Sequence, residues 1–201
     1  MLAQTPEDQE KVEEYLNVLQ ERVLTPIQST DVQRSCTATL LLLFAAIDGL
    51  GGLSDPTGKA GVHDRITGFL NYMGGGYAAH AEDLYTLRNS LVHNAINVES
   101  ILFHAELDSH RHLTRLGVDN LLYVNTSVMY QDFLHVFDRF RSQLQSDPVM
   151  LRHAANQLEW VEIDDPLEVG ENNAPDQMDN PTPTHPTPIR FIRTRQNPKR
   201  H

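Results

Sequence analysis

The chain has 201 residues, of which 40 % are apolar and 21 % charged, with 27 acids against 16 bases and a net charge of −11. That apolar content suffices for one self-contained core, and the single cysteine, Cys36, excludes a disulfide-stapled fold and fits a reducing cytoplasm. The acidity weighs against a general nucleic-acid coat protein, whose affinity comes from lysines and arginines displacing counterions, so any RNA contact must be local, as in an enzyme that admits RNA into a small cationic cleft.

The first residues, MLAQTPEDQEK, are acidic and polar where a secretory signal would be basic and then apolar, so no targeting segment is expected. Thr5, Pro6 and Asp8 read as a helix start: a hydroxyl cap, a proline at the first helical position and a carboxylate at the positive end of the dipole. Val12, Tyr15, Leu16, Leu19 and Val23 continue it at helical spacing, and Pro26 should end it.

Asp31 can cap a second helix through Cys36 and Leu40–Ile47, apolar on all sides and so expected at the centre of the fold, with Gly49, Gly51 and Gly52 stopping it. The greasy run from Thr39 to Leu53 meets Asp48 after nine residues and is read as too short to span a bilayer. A third, shorter helix carries Ile66, Phe69, Leu70 and Met73. Gly74–Gly75–Gly76 then breaks the chain; it lacks the lysine and Ser/Thr of a phosphate-binding loop and reads as a flexible connection.

The fourth helix runs from about His80 to Ala95. Between Ser100 and Asn125, short apolar runs separated by DSHR and GVDN predict a small antiparallel hairpin or three-stranded ribbon. Asn125 or Thr126 caps a long helix striped by Met129, Phe133, Phe137, Phe140 and Leu144, which serves as core or as a dimer interface. Pro148 ends or kinks it, and a further helix reaches towards Trp160.

After Glu162 come seven of the eleven prolines, no periodicity, six acids from Asp164 to Asp179 and five bases from Arg190 to Arg200. The expected organisation is therefore a domain at 1–162 and a disordered, solubilising tail at 163–201. Without the tail the domain still holds 21 acids and 11 bases, a net charge of −10.

The fourth helix carries the chemistry. Leu84, Leu87, Leu91 and Ala95 form its core stripe. At roughly 100° per residue, Asn89 and His93 fall on the opposite face, one turn apart. Arg88 lies at the margin, about 140° from His93, with a side chain long enough to swing towards it. Tyr85, Glu82 and Thr86 share the polar side. Histidine moves protons near neutral pH, arginine holds a phosphate and steadies charge on its oxygens, and asparagine orients either partner. On residue types alone such a face is more often a solvated surface than a site.

Arg88-Asn89-Ser90-Leu91-Val92-His93 resembles the motif of the HEPN superfamily (higher eukaryotes and prokaryotes nucleotide-binding domains): an arginine, a polar residue, and a histidine a few positions on. The setting is similar as well, with a long helical hairpin before the motif and a long helix after it, over roughly residues 5–145. The resemblance implies a mainly α helical bundle and a metal-independent endoribonuclease. Arg88 and His93 would be catalytic, and Asn89 and Tyr85 supporting. It further implies a homodimer, no cofactor and no metal, and a place among toxins of toxin–antitoxin or antiphage defence systems with an antitoxin or other protein partner. Where relatives paired with a nucleotidyltransferase antitoxin often carry a tyrosine two residues after the histidine, this chain has Ala95. The alternative is a non-catalytic dimeric module that binds a protein partner or a nucleotide.

The remaining signals are blander. His104, Asp108, His110 and His112 have metal-binding chemistry, with His110 and His112 facing one way if on a strand, but read better as a polar hairpin tip. Asp48 is a satisfied polar residue near a helix end or a contributor to the site. Cys36 has no evident activating partner.

Overall fold

The computed structural model describes residues 5–28, 35–94, 100–105, 108–163 and 189–194. Helix α1 (Pro6–Leu19) starts on a reciprocal cap: Thr5 Oγ1 accepts from the Asp8 N–H at 3.1 Å, and the Asp8 carboxylate accepts from the Thr5 N–H at 3.3 Å. This satisfies donors that a helix start otherwise leaves unpaired. Pro26 does not end the rod. The chain passes through a wider π-helical turn (Gln20–Leu24) into one more α turn (Thr25–Ile27). A widened turn gives the proline ring room against the carbonyl below it, and the Thr25 hydroxyl donates to the Gln20 carbonyl at 2.9 Å.

Helix α2 (Cys36–Ser54) is capped by Ser35, whose Oγ accepts from the Ala38 N–H at 3.3 Å; Asp31 lies outside the described residues. The expectation that Gly49, Gly51 and Gly52 stop this helix is overturned. They continue it, because Gly51 is where the backbone of helix α3 (Val62–Met73) crosses: a Cβ at Gly51 would sit 2.2 Å from the Arg65 carbonyl oxygen. With 19 residues, α2 is long and apolar enough to cross a membrane by length and composition, contrary to the expectation from the shorter run. Its apolarity has a use inside the fold, since nine of its residues are buried and the helix packs against α1's extension, α3 and three later helices.

Gly74, with φ +80°, separates α3 from the short α4 (Gly75–Ala79), and α5 (Ala81–Asn94) follows. Next comes a three-stranded sheet, in the order β1 (Ile101–His104), β3 (Leu121–Asn125), β2 (Arg115–Leu116). β2 pairs antiparallel with β3, but β1 pairs parallel, with Ile101 opposite Leu122 and His104 opposite Asn125. The expected purely antiparallel ribbon is thus a mixed sheet. The segment 105–120, with a 3₁₀ turn at Ser109–Arg111 and β2, is long enough to carry the chain back to the start of the sheet, which a parallel neighbour requires.

Asn125 caps α6 (Thr126–Ser146), its Oδ1 accepting from the Val128 N–H at 2.9 Å. Pro148 opens α7 (Pro148–Asn156) at its first position, capped by Asp147, instead of kinking α6. The α6 stripe is core: Phe133 and Phe140 are wholly buried, and both pack against Phe69 of α3, at 6.2 and 5.6 Å between ring centroids.

One expectation about the C-terminal part changes: Trp160 lies not in a helix but in a strand, β4 (Leu158–Ile163), which pairs antiparallel with β5 (Ile189–Thr194). The register sets Glu159 opposite Arg193 and Glu162 opposite Arg190. The molecule remains mainly helical, with α2 at its centre and two small sheets.

Candidate functional site

α5 presents its chemistry because its other face is locked. Leu84 and Leu87 are fully buried and Leu91 nearly so; Ala95 lies outside the described residues. Glu82, Thr86 and His93 are exposed, while Tyr85, Arg88, Asn89 and Ser90 are half-buried. Arg88 Nη1 donates to Asn89 Oδ1 at 3.0 Å, so the guanidinium is drawn round to the asparagine's side of the helix. His93 stands one turn beyond Asn89, in the last turn of α5. Within one chain, no hydrogen bond joins Arg88 to His93 among the described residues.

Tyr85 belongs to a second group nearer the start of α5. Its ring meets that of His63, from α3, edge-on at 4.7 Å. The His63 imidazole is held at both ends, by Asp64 at 3.0 Å and by Glu82 at 3.1 Å. Its hydrogen bonds to these two carboxylates, Asp64 and then Glu82, hold its pKa above the usual histidine value. The sequence did not single out His63, since the signal lies nineteen positions from Glu82 on another helix.

Asp48 is a satisfied structural carboxylate: Arg65 Nε donates to its Oδ1 at 2.7 Å, tying α2 to α3. Burial and the Asp48 charge push the neighbouring Tyr15 hydroxyl up to about 12. Cys36 Sγ accepts from the Ala105 N–H at 3.3 Å and joins α2 to the end of β1.

His110 and His112 do not share a strand face, because His110 lies in the 3₁₀ turn and His112 just after it. Among the described residues there is no group of three or more His, Cys, Asp or Glu side chains placed to hold a metal ion. His112 instead turns inwards. Its Nδ1 accepts from the Asn125 N–H at 3.0 Å, and its Nε2 lies 2.9 Å from the Tyr77 hydroxyl. That hydroxyl donates to Asp132 Oδ2 at 2.8 Å. Burial drives the His112 pKa down, opposed by the Asp132 charge, and burial together with the Asp132 hydrogen bond drives the Tyr77 pKa up. The three groups border a cleft of about 400 Å³ between the Gly74–Gly76 turn and α6.

No family model, curated protein or solved structure matches this chain.

Proposed function

We propose that the chain is a metal-independent endoribonuclease of the HEPN type that works as a homodimer. The observation that carries this reading is the Arg88–Asn89 hydrogen bond, which draws the guanidinium towards the face where His93 stands exposed at the end of α5. In the reaction, a ribose 2′-OH attacks the adjacent phosphorus and the P–O5′ bond breaks. One His93 takes the 2′ proton, and the His93 of a second copy gives a proton to the departing 5′ oxygen. The products are a 2′,3′-cyclic phosphate and a 5′-OH. Arg88 steadies the charge on the phosphoryl oxygens, and Asn89 and Tyr85 position the groups around it.

A two-fold pairing follows from the chemistry, because the motif supplies one histidine where a base and an acid are both needed. The cellular role in this reading is cytoplasmic, as a toxin or antiphage component restrained by a protein partner. The domain's charge of −10 favours a second reading, a non-catalytic dimeric module for a protein or nucleotide, since it opposes polyanion binding.

Incubation with total cellular RNA in EDTA separates the two. Cleavage by the wild type that leaves cyclic phosphate ends and disappears in His93→Ala supports the ribonuclease. A folded dimer that leaves RNA intact supports the module.

A further inference from the structure

The cleft between the Gly74–Gly76 turn and α6 is independent of the α5 motif, and its hydrogen bonds have only one consistent direction. The Asn125 N–H can only donate, so His112 Nδ1 must accept and carries no proton. In the neutral ring the proton is then on Nε2, which donates to the Tyr77 oxygen. The Tyr77 hydroxyl in turn donates to Asp132 Oδ2. Three groups from three separate stretches of chain thus aim and steady one carboxylate.

Asp132 is half-exposed, its carboxylate accepts from Tyr77, and among the described residues it forms no ion pair with a lysine, arginine or histidine. Neither lysine nor arginine lines the cleft. The remaining wall is apolar, from Met73, Leu113 and Val136, with the exposed His135 at the rim one turn along from Asp132. The wall also carries a strained backbone position. Leu113, next to His112, is held at φ 56°, a left-handed conformation rare for a branched side chain, while its N–H donates to the Tyr123 carbonyl at 2.7 Å. Gly76 sits so close that a Cβ there would lie 3.0 Å from the Leu113 Cβ. Strained backbone persists where the surroundings impose it, and it clusters at binding sites.

We propose that this cleft binds a small organic cation, an alkylammonium or alkylguanidinium, whose charged head pairs with Asp132 and whose short aliphatic body lies against Met73, Leu113 and Val136. The volume of about 400 Å³ is near the small end of ligand pockets. A phosphate or carboxylate ligand would meet only the Asp132 charge. A divalent metal would find too few donors, since His112 has both ring nitrogens engaged.

The test is titration of the full chain with butylamine and with butylguanidinium, followed by amide and methyl NMR shifts, with butyrate, inorganic phosphate and zinc as comparison ligands. Saturable shifts confined to Gly74–Tyr77, Leu113 and Val136, produced by the cations and not by the anions, are expected. Affinity should fall at least tenfold in Asp132→Asn, which retains an oxygen for Tyr77, and stay unchanged in His93→Ala. If Asp132→Asn does not fold, the wild-type shift map decides. Shifts elsewhere, equal response to butyrate or phosphate, preference for zinc, or no response at millimolar cation would each overturn the proposal.

Discussion

Arg88 and Asn89 are neighbours in sequence that join side chain to side chain, Nη1 to Oδ1 at 3.0 Å, although adjacent helical residues normally point about 100° apart. The bond spans that divergence only because the arginine is long, and it draws the guanidinium across to the side of Asn89 and His93. If Asn89 positions Arg88 for cleavage, Asn89→Ala should slow the reaction about tenfold, the loss expected for one hydrogen bond to a charged group at about 1.5 kcal/mol. Asn89→Asp, which keeps the acceptor, should retain most of the rate. His93→Ala should cost about 10²- to 10⁴-fold. Initial rates on a fluorescent RNA in EDTA measure all three, and an Asn89→Asp rate as low as that of Asn89→Ala would refute the positioning role.

Val92, between the motif's arginine and histidine, is 48 % exposed. Should a second copy cover this face, Val92→Glu will place a charge in the contact and convert a dimer to a monomer, with cleavage lost in parallel and helicity retained. Light scattering reads the mass directly. A Val92→Glu protein that keeps both dimer and activity would put the pairing elsewhere.

His112 links stability to pH. Its native pKa lies below the ordinary histidine value because burial disfavours the cation, and protonating Nδ1 would also break its bond from the Asn125 N–H. As pH falls below about 6.5 the unfolded chain takes up a proton that the native state still refuses, so this contribution is full above that value and fades as pH drops through the native pKa. His112→Gln offers an oxygen to Asn125 and an N–H to Tyr77 without titrating. Its urea midpoint should therefore fall less than that of the wild type between pH 7.5 and 5. Using the difference between the two proteins removes the opposite effect of His63, whose raised pKa favours the native state at low pH. Parallel midpoint curves would show that His112 is not the linked group.

Two helical glycines should respond in opposite directions. Gly51→Ala drives a methyl to 2.2 Å from the Arg65 carbonyl oxygen, with backbone on both sides, and should destabilise by about 3 kcal/mol. Gly68, exposed within α3, has nothing within 4 Å of an added Cβ. Gly68→Ala should stabilise by about 0.5–1 kcal/mol. Thermal or urea unfolding of the two variants checks both signs, and a neutral Gly51→Ala would mean that α2 and α3 can separate without cost.

Features set by neighbouring residues were legible in the sequence. The Thr5–Asp8 cap, the leucine stripe of α5, the aromatic stripe of α6 and the cap at Asn125 all depend on spacings of three or four along one helix, and the structure places each accordingly. The residues Arg88, Asn89 and His93 could be grouped for the same reason, since six consecutive positions on one helix determine their relative directions. Contacts between distant segments decided the rest. Gly51 continues α2 because α3 crosses there, and β1 pairs parallel because the chain loops back before β3. Leu158–Ile163 becomes a strand because residues 189–194 return to pair with it. His63 reaches Tyr85, and Tyr77 reaches both His112 and Asp132, across separations of 35 and 55 residues for the latter two. Local periodicity carries no information about which distant donor will meet which acceptor; only the packing of the helices around α2 brings these groups within hydrogen-bond range.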